Sequence, residues 1–121
     1  MSEHDIVEQF VAECEEDHVG LWRLVRAVQE DLAVGEPEQV RAATLKLVHA
    51  LLEQPGMQIG IPAPDGISFV PWNVNPDVAA NEVGKRWLEL GRNPDIGEIA
   101  WFNLAHKSVS PAASTASSKM S

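Results

Sequence analysis

The chain has 121 residues, 45% of them apolar, and carries nine Lys and Arg against eighteen Asp and Glu, a formal charge of −9. That is enough apolar chain for one domain burying roughly 60–70% of its unfolded surface, and the charge works against polyanionic partners such as nucleic acid. A single cysteine, Cys14, excludes an internal disulfide framework; the opening Met-Ser-Glu-His-Asp lacks the basic start and apolar run of a signal peptide; no apolar run has membrane-spanning length, so a cytoplasmic protein is expected.

The charge is unevenly placed. Residues 1–20 hold seven acids (Glu3, Asp5, Glu8, Glu13, Glu15, Glu16 and Asp17) and no Lys or Arg. In the first expected helix, Glu3 to Glu16, the residues Ile6, Val7, Phe10, Val11 and Cys14 recur at three- and four-residue spacing. Asp5, Glu8, Glu15 and Glu16 lie on the opposite side. Asp17 is placed to cap a second helix, His18 to Ala33, which buries Leu21, Leu24, Val25, Val28 and Leu32 with Trp22 at the edge of the stripe. Gly35 is the expected left-handed stop.

Glu36-Pro37 opens a third helix, to about Gln54, with Pro at a first-turn position where its missing N–H costs little. Its apolar residues (Val40, Ala43, Leu45, Leu47, Val48, Ala50, Leu51 and Leu52) cover more than half the circumference. Only Ala42, Lys46, His49 and Glu53 make a continuous exposed strip, so the helix reads as a central core element. After Pro55-Gly56, Met57–Ile61 and Ile67–Trp72 read as strands around Pro62-Ala-Pro-Asp-Gly66. Asn75-Pro76 starts a fourth helix, which turns Ala79, Ala80, Val83, Trp87 and Leu90 inward, exposes the i,i+4 pairs Glu82–Arg86 and Lys85–Glu89, and ends at Gly91.

Asn93-Pro94-Asp95 repeats the cap signal of a short helix, whereas Gly97 and Ile-Ala-Trp-Phe favour a strand, Ile96 to Leu104; the strand is the reading taken. The expected class is helix-rich α+β, with four helices and a small hairpin or three-stranded sheet. Residues 1–108 would form one domain and 109–121 a disordered Ala/Ser-rich tail.

Chemistry is sparsely signalled. Cys14 and His18 are four apart, yet the other histidines fall on separate elements and a zinc site needs three or four ligands, so no metal or cofactor is expected. Serines gather in the tail, and no Gly-rich phosphate loop occurs, so no catalytic residues are expected. Tryptophan is the richer signal. Trp87 fits the inward stripe of the fourth helix, Trp101 and Phe102 must point to opposite faces of a strand, and for Trp72 and Trp101 core and interface both stand.

From Asp17 to Trp72 the order of Leu-Trp-Arg-Leu-Val-Arg-Ala-Val, the Gly35-Glu36-Pro37 turn, the helix ending Leu-Leu-Glu-Gln-Pro-Gly and the loop at Pro64-Asp65-Gly66 resembles a winged-helix domain. The resemblance implies nucleic-acid binding through the helix after the turn. That helix departs from the pattern, exposing only Lys46 and His49 as positive groups, beside Glu53. Winged helices also serve in protein–protein contacts, the branch that suits this charge.

The expected function is therefore a small acidic, non-enzymatic protein-binding module, of the kind of an immunity or antitoxin inhibitor docking on a basic partner. Its candidate partner-binding residues are Asp5, Glu8, Glu15, Glu16, Trp72, Arg92, Asp95, Glu98 and Trp101, the acids steering association and the aromatics being buried. The alternatives are a winged-helix transcription regulator, with Arg23, Arg26, Arg41 and Lys46 on phosphates, and a homodimer through the last strand or the third helix.

Overall fold

The computed structural model describes residues 2–65 and 67–105; the expected tail and His106 lie outside them. Helix α1 (Glu3–Cys14) begins at a capping box: the Ser2 hydroxyl accepts from the Asp5 N–H, and the Asp5 carboxylate accepts from the Ser2 N–H. Its buried stripe is Ile6, Val7, Phe10 and Cys14. The helix stops short of Glu16, and a two-residue strand, β1 (Val19–Gly20), follows where the second helix was expected to begin.

Helix α2 (Leu21–Asp31) therefore starts later than the sequence suggests, with Gly20 at the cap position and no side-chain cap. Asp17 instead accepts from the adjacent His18 N–H at 2.7 Å. The Leu21 N–H, one of the orphan donors of a helix start, is taken by the Ala100 carbonyl at 3.0 Å. At the other end Ala33, not Gly35, takes the left-handed conformation (φ 55°), at a cost of about 1–2 kcal/mol for a residue with a Cβ.

Helix α3 (Pro37–Leu52) buries Val40, Thr44, Leu47, Val48 and Leu51 and touches α1, α2, the strand β2 (Met57–Pro62) and the helix α4 (Pro76–Leu90). Ala42, Lys46 and Glu53 are exposed and His49 is half-buried, so the narrow wet edge read from the periodicity is present. In α4 the Asn75 side chain accepts from the Val78 N–H, Ala79, Val83 and Trp87 are buried, and Gly91 closes the helix at φ 77°. Arg86 pairs with Glu82 at 2.7 Å, and no Lys85–Glu89 pair forms among the described residues.

The helix-rich α+β class is present, with a four-stranded antiparallel sheet rather than three strands. Strand β3 (Phe69–Pro71) is held to β2 by a turn in which Asp65 accepts from the backbone of Ile67 and Ser68. Strand β4 (Trp101–Leu104) retains only the end of the expected Ile96–Leu104 strand, because Gly97 and Ile99 adopt positive φ (80° and 69°) and break extension before it. The order is β1-β4-β2-β3, so the last strand is central and sits between β1 and β2.

Register assigns the two faces. Val19, Phe102 and Ile59 are neighbours across three strands and turn toward the helices, where Phe102 meets Phe10 edge-on at 5.3 Å between ring centroids. Alternation places Gly20, Trp101 and Gly60 together on the other face. Among the described residues no helix is long and apolar enough to cross a membrane.

Candidate functional site

The β1–β4 pairing brings the end of α1 beside the start of α2 and the last strand. Between them lies an open groove of about 540 Å³, lined by Glu13, Glu16 and Asp17, by His18 and by Arg23, whose guanidinium is bound to Glu13, and by the apolar surface of Trp22, Trp101 and Ile96. Ile96 is 67% exposed. Trp22 and Trp101 are half-buried. Gly20 makes the arrangement sterically feasible: a Cβ there would fall 2.6 Å from Cδ1 of Trp22, and the Trp101 ring is close by at 3.7 Å.

The acids of α1 divide into two sets. Several have local work: Glu3 reaches Lys46 at 3.6 Å, Glu8 reaches His4 at 3.2 Å, and Glu13 binds Arg23 at 2.7 Å. Asp5 is held below the usual carboxylate range, first by the Ser2 backbone N–H and then by the Ser2 hydroxyl. Glu15, Glu16 and Asp17 have no ion-pair partner among the described residues, and the last turn of α1 contains no base. Carboxylates there oppose the helix dipole, at about 0.3–1 kcal/mol each. Helix stability does not explain their placement.

Of the residues singled out in the sequence, Glu16 and Trp101 share the groove. Asp5 and Glu8 on α1 and Glu15 just after its end are exposed outside it. Trp72 is elsewhere, half-buried with the Arg86 guanidinium 4.7 Å above its ring. The polar loop 92–98 closes on itself. Arg92 donates through two nitrogens to Glu98 at 2.7 Å each, and the Asp95 N–H donates to the same carboxylate at 2.7 Å. These bonds, the Arg92 contact foremost, lower the Glu98 pKa to about 2. The loop is a staple closed by Arg92 and Glu98, on which Arg92, Asp95 and Ile96 remain exposed.

Sequence reasoning missed Asp17, Trp22 and Ile96 as groove residues. Trp22 stood out only as an edge residue of a helical stripe, and nothing local announces β1. Of the two elements named for a homodimer, β4 is paired within the chain on both sides at Trp101 and Phe102, and α3 packs against three helices and β2. The sheet face carrying Trp101 also carries Asn103, which is 8% exposed; its amide donates to Gln58, and its Oδ1 has no hydrogen-bond partner among the described residues.

No family model matches this chain, and no curated protein or solved structure is significantly similar to it.

Proposed function

We propose that this is a small cytoplasmic protein that acts by binding, and that it docks the groove between α1, β1 and β4 on a basic surface of another protein. An inhibitor of the immunity or antitoxin kind is the concrete form. The carrying observation is the convergence of Glu16 and Asp17 with Trp22, Trp101 and the exposed Ile96 in one groove. Glu16 and Asp17 outnumber the one arginine of the groove, Arg23, which is held by Glu13; they steer a basic partner into encounter, and the aromatic and aliphatic surface supplies the desolvated contact that keeps it.

The distribution of cations supports this reading over the nucleic-acid alternative of a winged-helix regulator. Of the four cations that would have to contact phosphate, Arg23 faces Glu13, Arg26 lies 3.9 Å from Glu30 and Lys46 faces Glu3. The helix that would enter a groove of DNA turns its larger surface into the core.

The test compares the native protein with Glu16→Lys/Asp17→Lys as immobilised bait in native lysate, followed by association kinetics with whatever basic protein is retained. The expected result is loss of retention in the reversed variant and an association rate that falls steeply with added salt. Equal retention by both baits, or retention of DNA fragments at low salt, would overturn the reading.

A further inference from the structure

The four tryptophans are treated differently by the chain's own cations. Trp87 is buried, 4% exposed. Trp22 has the guanidinium of Arg26 at 5.3 Å and that of Arg23 at 6.0 Å from its ring centroid. Trp72 has that of Arg86 at 4.7 Å. Each partly exposed tryptophan is thus faced by arginine, never lysine, with one exception. Trp101 carries no cation on its ring among the described residues, although it shares a groove with Glu16 and Asp17 and with Arg23, which is turned to Glu13 and Trp22 instead.

We propose that the groove receives an arginine side chain of the partner, its guanidinium lying on the Trp101 ring and its N–H groups turned toward the Glu16 and Asp17 carboxylates. The inference rests on the groove being the docking site, and it names the chemistry that fills it. Charge complementarity selects a cation. The indole face selects arginine over lysine, because a planar, weakly hydrated guanidinium can stack on a ring while its edge still serves two carboxylates, whereas an ammonium is a compact and strongly hydrated point charge. Ile96, at the rim and 67% exposed, offers apolar surface to the aliphatic stem of such a side chain. Trp22 is the poorer receptor, since two arginines already face it.

The experiment titrates the full-length, isotope-labelled protein with blocked hexa-arginine and, separately, hexa-lysine at one ionic strength, following the four indole N–H resonances. The expected result is a saturable shift of the Trp101 indole and an affinity for the arginine peptide about threefold or more above that for lysine. Trp101→Leu should erase that preference while leaving lysine binding in place, and Trp101→Phe should restore part of it. Equal affinities in the native protein, or a preference that survives Trp101→Leu, would overturn the arginine inference. If affinities are equal but both are lost in Glu16→Lys/Asp17→Lys, the acidic groove stands as a docking site and only the arginine inference fails. If neither peptide perturbs Trp101, both fail.

Discussion

Trp101 stands opposite Gly20 in the β1–β4 ladder, and the space where Gly20 lacks a side chain is taken by the Trp22 ring. The groove is therefore built around a missing methyl group. Gly60, on the other side of Trp101, has a different reason to be glycine: a Cβ there would run into the Val70 carbonyl and the Pro71 backbone.

The two glycines should respond differently to alanine. Gly20→Ala meets a side chain that can swing away, so it should cost about 1 kcal/mol and shift the Trp22 indole resonance. Gly60→Ala meets backbone and must pry β3 from β2, so the loss should reach about 3 kcal/mol, toward the upper end for overpacking. Urea unfolding of both variants checks the order, which a larger loss at Gly20 would contradict.

The loop staple has a defined pH behaviour. Glu98 is lowered from 4.5 to about 2 by the folded contacts, Arg92 first. A carboxylate lowered on folding contributes stability that is fully present above its unfolded pKa and is lost as pH falls through the folded value, here between about 4.5 and about 2. Carboxyl NMR titration should find the Glu98 midpoint near the bottom of that window, and Arg92→Gln should move it back toward the ordinary range. A midpoint unmoved by the substitution would show that the backbone N–H of Asp95 dominates.

Thr44 lies fully buried in α3, and its hydroxyl has no hydrogen-bond partner among the described residues. Thr44→Val removes a desolvated polar group without opening a cavity, so stability should stay level or rise by up to about 1 kcal/mol. Leu51→Ala, in the same helix, should cost about 2–5 kcal/mol. A clear loss on Thr44→Val, read by thermal unfolding, would mean that the hydroxyl bonds back to the helix.

Arg86 covers Trp72 while its Nε donates to Glu82 at 2.7 Å. Arg86→Gln should uncover the ring and cost about 0.5–1 kcal/mol. The steady-state emission should shift to the red, and an unshifted spectrum would place the guanidinium away from the indole in solution.

Where sequence and structure agree, the signal is local and repeated. Val40, Leu47, Val48 and Leu51 declare α3 by spacing alone, and Asn75-Pro76 with Gly91 bracket α4 through cap chemistry that needs nothing distant. Where they part, the cause is tertiary. Val19 and Gly20 are too few to show any period, and they form a strand only because Trp101 and Phe102 arrive beside them. That pairing shortens α2 at its start, and the Ala100 carbonyl takes the Leu21 N–H at the new helix start. The groove inherits the same difficulty. Glu16 and Trp101 stand out as charge and as aromatic, yet their meeting with Trp22 depends on a ladder that no window of sequence contains. Arg92, Asp95 and Glu98 are visible as a charged loop; that Arg92 and Glu98 pair with one another while Asp95 adds its backbone N–H is a matter of three-dimensional closure.

The central place of β4 also sets an order of events during synthesis. A chain still on the ribosome can close α1 through α4 and the β2–β3 hairpin, but β1 has no neighbour until residue 101 emerges to join residue 20. Pairing so remote in the chain is slow to nucleate. The groove is thus completed last, and a nascent chain halted before Trp101 would carry its acidic segment without the aromatic surface that stands beside it in the finished fold.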